Sequence, residues 1–235
     1  ISASEVDSLI ASPSSVIGYS STKNIVITGS ITHSQASGLK GVTSPSITAT
    51  VAQTSVANLK AITVLSGRTN AFTLTTSDGT AAAADLNTIA SLTSVAPNFS
   101  SITAVTASSA ADLKTLYSAT NTTLGTEPVT INDSTLTAAD LNSVDGSTSG
   151  TVTVSSAALT GTAKDLVDAY VAAAAGTIAG LGNEVVTVTD TTIPAEQLRY
   201  IEAATTGQVN LGPSTTTIAG NDLDVLAVLN RAADV

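Results

Sequence analysis

The chain has 235 residues, and Ser, Thr and Ala account for 107 of them. Eight basic against eighteen acidic residues give a net charge of −10, which repels phosphate and counts against a nucleic-acid partner. Cys, Met and Trp are absent, which excludes a disulfide or thiolate–metal scaffold. The 43% hydrophobic share is enough for a core and argues against disorder.

The chain opens at Ile1 rather than Met, which reads as a processed form or a window of something longer. In chain order, apolar pairs at helical spacing alternate with β-type runs. Val6 with Leu9 comes first, then a strand at 24–28. Leu39 with Val42 precedes a strand at 46–51, and Leu59 with Ile62 precedes one at 72–75. Leu86 with Ile89 stands before the run at 101–106, and Leu113 with Leu116 before 129–131. Leu141 with Val144 leads to 151–154, Leu166 to 185–189, and Leu198 with Ile201 to the weaker run 208–211. Leu223 with Leu226 closes the series. The nine anchors Val6, Leu39, Leu59, Leu86, Leu113, Leu141, Leu166, Leu198 and Leu223 recur at roughly 27 residues, the range of a repeat architecture.

Thr137, Ser109 and Thr162 stand three residues before Asp140, Asp112 and Asp165, close to a capping box with Asp in place of Glu or Gln. Pro194 suits a first helical residue. Apolar residues alternate with Thr along the strands, so one face is buried and the other meets solvent. The pattern predicts an α/β solenoid of about nine strand-plus-short-helix units, with a parallel sheet carrying helices on one face. It predicts a single repeat domain over 1–235, against a rival split near Pro128. Two long spacings mark insertions around 12–23 and 171–184, read as loops or an extended helix.

The run Leu136-Thr-Ala-Ala-Asp-Leu-Asn-Ser-Val-Asp145, with Ser147-Thr-Ser-Gly150 and the Thr-Val-Thr-Val strand after it, resembles a known type of repeat. It is similar to the Ser/Thr/Ala/Asp-rich tandem repeats of large secreted surface proteins in cyanobacteria and some proteobacteria. Similar repeats occur in virion structural proteins of phages infecting those bacteria. The resemblance implies an extracellular structural or adhesive role with no catalytic residues, or a phage tail or fibre component. The Gly-Gly-x-Gly-x-Asp calcium repeats that many such secreted proteins carry do not occur here.

The residues supply little chemistry. His33 is the only histidine, so any Ser-His-Asp triad would have to use it. It stands between Thr32 and Ser34, and no catalytic role is assigned to it. Gly146-Ser-Thr-Ser-Gly150 carries Thr148 where a nucleophile elbow needs Ser, and reads as a turn before a strand. Gly176-Thr-Ile-Ala-Gly180-Leu-Gly182 has the wrong spacing for a dinucleotide loop and reads as a helix end and turn. Asp85, Asp112, Asp140, Asp165 and Asp222 recur near the anchors, where carboxylates suit helix N-termini. The sharper alternative is a calcium ladder, with Asp133, Asp190, Asp222 and Asp224 as further candidate ligands. Thr stripes on the strands suit a solvated β face, or a flat recognition face for sugar, ice or protein. Asn98, Asn121 and Asn132 open Asn-x-Ser/Thr triplets, read as chance in so Ser/Thr-rich a chain. No cofactor and no membrane insertion are expected, since the Ala-rich run 169–181 is too short to span a bilayer. The expected partners are further repeats or end-to-end copies, because the last copy stays apolar through Leu223, Val225, Leu226, Val228 and Leu229.

Overall fold

The computed structural model describes residues 1–118 and 124–232. Asn121, and the side chains of Val228 and Leu229, lie outside the described residues. The chain is α/β, with parallel sheets and nine α-helices among those residues. Its internal contacts group into two compact units, Ile1–Val105 with Thr115–Leu124, and Thr106–Lys114 with Gly125–Val235.

The first unit runs α1 (Val6–Ala11), β1 (Ile25–Ile31), α2 (His33–Gly38), β2 (Ser46–Val51), α3 (Val56–Lys60), β3 (Thr69–Thr73), β4 (Thr80–Ala82) and α4 (Ala83–Ser91). Strands β1, β2 and β3 are parallel in that order, with Ile47 opposite Ile25 and Asn70. Strand β2 buries alternate residues, Ile47, Ala49 and Val51, while β1 buries Ile25, Ile27 and Ile31 around a register shift. The region around 12–23 holds a short 3₁₀ turn, Pro13–Ser15, and otherwise loop, as the long spacing predicts. The division between the units passes through β5 (Ala104–Ser108) and α5 (Ala110–Ser118), in the middle of a strand–helix unit rather than at a linker or at Pro128.

The second unit runs β6 (Val129–Ile131), β7 (Thr135–Thr137), α6 (Ala138–Asp145), β8 (Val152–Val154), β9 (Ala158–Gly161) and α7 (Ala163–Ala175). Then come β10 (Ile178–Ala179), β11 (Val185–Val188), β12 (Thr192–Pro194), α8 (Ala195–Ala204), β13 (Val209–Leu211), β14 (Thr217–Ala219) and α9 (Asp222–Ala232). All its ladders are parallel: β6–β8–β10, β7–β9–β11–β13 and β12–β14. The expectation of one sheet is corrected here, because a second short strand lies before most of these helices. The segments Thr135–Thr137, Ala158–Gly161, Thr192–Pro194 and Thr217–Ala219 are three or four residues long. Each of these runs lies within three residues of a helix start, so the sequence reads it as part of the cap, and pairing to a neighbour makes it a strand. The insertion around 171–184 is an extended helix: α7 has 13 residues and stops at Gly176 in the left-handed region (φ 85°).

Helix starts follow one rule. A cap residue precedes apolar residues at cap+4 and cap+7, with alanine at cap+1 in α4, α5, α6, α7 and α8. Thr137 caps α6, its Oγ1 accepting the Asp140 N–H at 3.0 Å, and Ala138, Leu141 and Val144 are all fully buried. Thr162 does the same for α7 with Ala163, Leu166 and Ala169, and Ser55 for α3 with Val56, Leu59 and Ile62. Three and four residues along a helix is one face, so this spacing points a stripe at the strands. Eight of the nine anchors are buried: Val6, Leu39, Leu59, Leu86, Leu113, Leu141, Leu166 and Leu198. Leu223 is not, being 79% exposed. The cap of α9 is Asn221, whose Oδ1 accepts the Asp224 N–H at 2.9 Å, so cap+4 falls on half-buried Val225 and the face turns Leu223 outward.

The second unit also repeats over two helices. Ala138 and Ala195 open α6 and α8, and both begin after a similar corner. Glu127 and Glu184, both buried, accept hydrogen bonds at Oε2 from the N–H groups of Gly125 and Thr126, and of Gly182 and Asn183. Gly150 and Gly207, each 23 residues further on, lie on the carbonyls of Glu127 and Glu184. A Cβ added there would stand 2.2 and 1.9 Å from those oxygens, which no side chain tolerates.

Candidate functional site

The acidic residues are placed by the helices. Asp133 and Asp190, two of the candidate calcium ligands, each cap a helix that starts 23 or 27 residues earlier. Asp133 Oδ2 accepts the Ala110 N–H of α5 at 2.7 Å, and Asp190 Oδ2 accepts the Ala163 N–H of α7 at 2.6 Å. Asp78 does the same for Val56 of α3. A carboxylate there satisfies an orphan amide and meets the positive end of the helix dipole. The other two candidates share the first turn of α9. Asp222 is exposed, while Asp224 bonds the Asn221 amide at 2.7 Å and lies 3.4 Å from Arg199. The structure does not bring the four together, and no group of three or more His, Cys, Asp or Glu among the described residues could hold a metal ion.

A second device ties successive helices. The residue at cap+5 of one helix reaches the residue at cap+3 of the next. Lys60 pairs with Asp85, Lys114 with Asp140 and Arg199 with Asp224. Gln35 bonds Asp7 at 3.0 Å, and Asn142 Nδ2 donates to the Asp165 carbonyl at 2.9 Å. Lys114, and then Thr137, hold the Asp140 carboxyl below the usual carboxylate range. The rule explains the recurring aspartates before the anchors: Asp85, Asp140 and Asp165 occupy cap+3 positions in these contacts.

His33 is the first residue of α2 and is half-buried. Its Nε2 lies 3.4 Å from Ser34 Oγ, its next neighbour in sequence. Gly146–Gly150 forms the corner described above, where Thr148 Oγ1 donates to the Glu127 carbonyl at 2.9 Å and accepts from Gly150 N–H. Gly176–Gly182 is the end of α7 and the two-residue strand β10. The Thr stripe exists in short lengths. Thr137, Thr160 and Thr187 stand in register across β7, β9 and β11, but Asn210 continues the row and only Thr137 is well exposed. Asn98 accepts the Ser100 N–H, and Asn132 donates its backbone N–H to Ser108. No helix among the described residues is long and apolar enough to cross a membrane.

One helix pair in the second unit departs from the tie. At α7 and α8 the cap+5 and cap+3 residues are Val167 and Gln197, and no bond links them. An open cleft of about 570 Å³ lies there instead, lined by Val167, Glu196, Gln197, Arg199, Tyr200 and Ala203. A second hollow of about 350 Å³ shares Tyr200 and Ala203 with it and extends to Tyr170, Ala173, Ala174 and Leu181. Tyr170 is buried and donates its hydroxyl to Glu184 Oε1. Burial, and then that carboxylate, push its hydroxyl well above the ordinary tyrosine value. The cleft's one signal in the sequence is Val167, an apolar residue at a position that is polar in the other ties.

No model of a known family matches the chain, and neither does any curated protein or any solved structure.

Proposed function

We propose that this chain is a non-enzymatic, extracellular repeat module with a structural or adhesive role in a bacterial surface protein, layer or filament. In this reading the strand–helix units form one solenoid of about nine coils over 1–235. The observation that carries it is the use of the charged side chains. The aspartates that recur along the chain cap helices of the preceding coil or tie successive helices, and in these contacts they serve the stack. Parallel ladders within each unit, stepping by one coil, support the solenoid. Exposed Leu211, Leu223 and Leu226 on β13 and α9 support end-to-end association or packing against further repeats. Ligand binding on a Thr-lined sheet face draws on short rows, Thr137–Thr160–Thr187 and the pairs Thr50–Thr73 and Thr192–Thr217.

The test is labelling of intact, unpermeabilised source cells with antibody raised against the purified chain. Surface label is the expected result. Label confined to the cell interior overturns the surface reading, and label on purified virions moves the chain to a phage particle.

A further inference from the structure

We propose that the cleft between α7 and α8 is a binding site for a neutral pyranose sugar, with Tyr200 as its stacking platform. The inference does not rest on the surface-protein reading, and either can fail alone.

Three observations converge. Where the other ties link helices through a polar pair, this place carries Val167 opposite Gln197, and the helices leave a cleft of about 570 Å³. That volume falls in the roughly 300–1,000 Å³ range of small-molecule sites, which pair an apolar lining with a few polar groups. Next, Tyr200 is 39% exposed, whereas Phe72, Phe99 and Tyr170 are buried. Its hydroxyl has no partner among the described residues. A tyrosine ring supplies a flat apolar face with one polar tip. Finally, Glu196 and Gln197 also have no side-chain partner among the described residues, and Arg199 stands on the same helix with a loose 3.4 Å contact to Asp224. The rim therefore presents an acceptor, an amide that both donates and accepts, and a fork of donors.

A pyranose ring matches that set. Its axial C–H bonds make one face apolar, suited to the ring of Tyr200 and the methyl of Ala203. Its equatorial hydroxyls project sideways, each needing a donor and an acceptor, which Gln197, Glu196 and Arg199 offer. A second protein fits less well. Eleven residues line the two hollows, against about 20–30 a side in a stable protein interface.

The experiment is saturation-transfer NMR of the full 235-residue chain with glucose, galactose, mannose and N-acetylglucosamine, singly and as short oligomers, with amide-shift mapping. The expected result is transfer from the protein to ring protons of at least one of these sugars, with shifts centred on α8. Tyr200→Ala should weaken binding about tenfold or more, Tyr200→Phe should keep most of it, and Gln197→Ala should weaken it severalfold. Tyr200 is only 39% exposed, so the thermal midpoint of Tyr200→Ala is measured alongside, and Tyr200→Phe, which keeps the ring, should leave it in place. No transfer from any of these sugars, or binding that survives Tyr200→Ala, overturns the proposal. So does light scattering that shows a dimer abolished by Tyr200→Ala, since a second copy would then fill the cleft.

Discussion

Leu141→Ala tests the packing rule most directly. Leu141 sits at cap+4 of α6, flanked by Ala138 and Val144, and all three are fully buried. The substitution removes three buried carbons, worth roughly 2.4 kcal/mol at about 0.8 each. The hollow left behind adds a further cost, because parallel ladders and the next coil restrain α6 from collapsing inward. Measured Leu→Ala losses in cores bracket the sum at about 2–5 kcal/mol. The paired control is Leu223→Ala, whose side chain is 79% exposed, with an expected change within about 0.5 kcal/mol. Urea unfolding followed by circular dichroism gives both numbers, and amide exchange in α6 checks that the loss is local, as the proposed repeat stack implies. A loss below about 1 kcal/mol for Leu141→Ala, or equal losses for the two variants, would refute the cap-based phase.

The cross-coil caps give a second expectation. Asp133→Ala and Asp190→Ala should each cost about 0.5–2 kcal/mol in urea titrations, the range for a lost N-cap, and Asp→Asn should cost less because the amide oxygen still accepts. Gly207→Ala should lower the melting temperature sharply, since a Cβ there would lie 1.9 Å from the Glu184 carbonyl; the same change at exposed Gly146, where the nearest backbone atom is 3.4 Å away, should be mild. Alkaline titration reads the Tyr170–Glu184 contact. The fold holds the Tyr170 proton more tightly than the unfolded chain does, so its stabilisation is whole below the unfolded value near about 10 and drains away as pH rises beyond it. Tyr170→Phe should remove that alkaline loss. On the acid side the lowered Asp140 carboxyl stabilises the fold above about pH 4, and that contribution fades as pH falls through its titration. Asp140→Asn should flatten this part of the profile.

The helices and their buried stripe were legible in the sequence by itself. A Ser or Thr hydroxyl, an Asp three residues on and a Leu at the fourth are local features, and local hydrogen bonding carries them into the fold unchanged at Ser109, Thr137 and Thr162. The strands at 46–51 and 129–131 were legible for a similar reason, since each alternates apolar residues with polar ones over its own length. What only the tertiary structure decided lies between coils. Thr135–Thr137 and Thr192–Pro194 are strands because β9 and β14 lie beside them, a partner 23 to 25 residues away. Leu223 faces outward because Asn221 closes the cap of α9 and puts cap+4 on Val225, 27 residues after Leu198, rather than on Leu223. Asp133 and Asp190 looked like spare oxygen ligands, since nothing in their own neighbourhood shows the amide each one meets 23 and 27 residues earlier. Periodicity reports which face a residue takes, whereas the atom it meets depends on how the next coil is stacked.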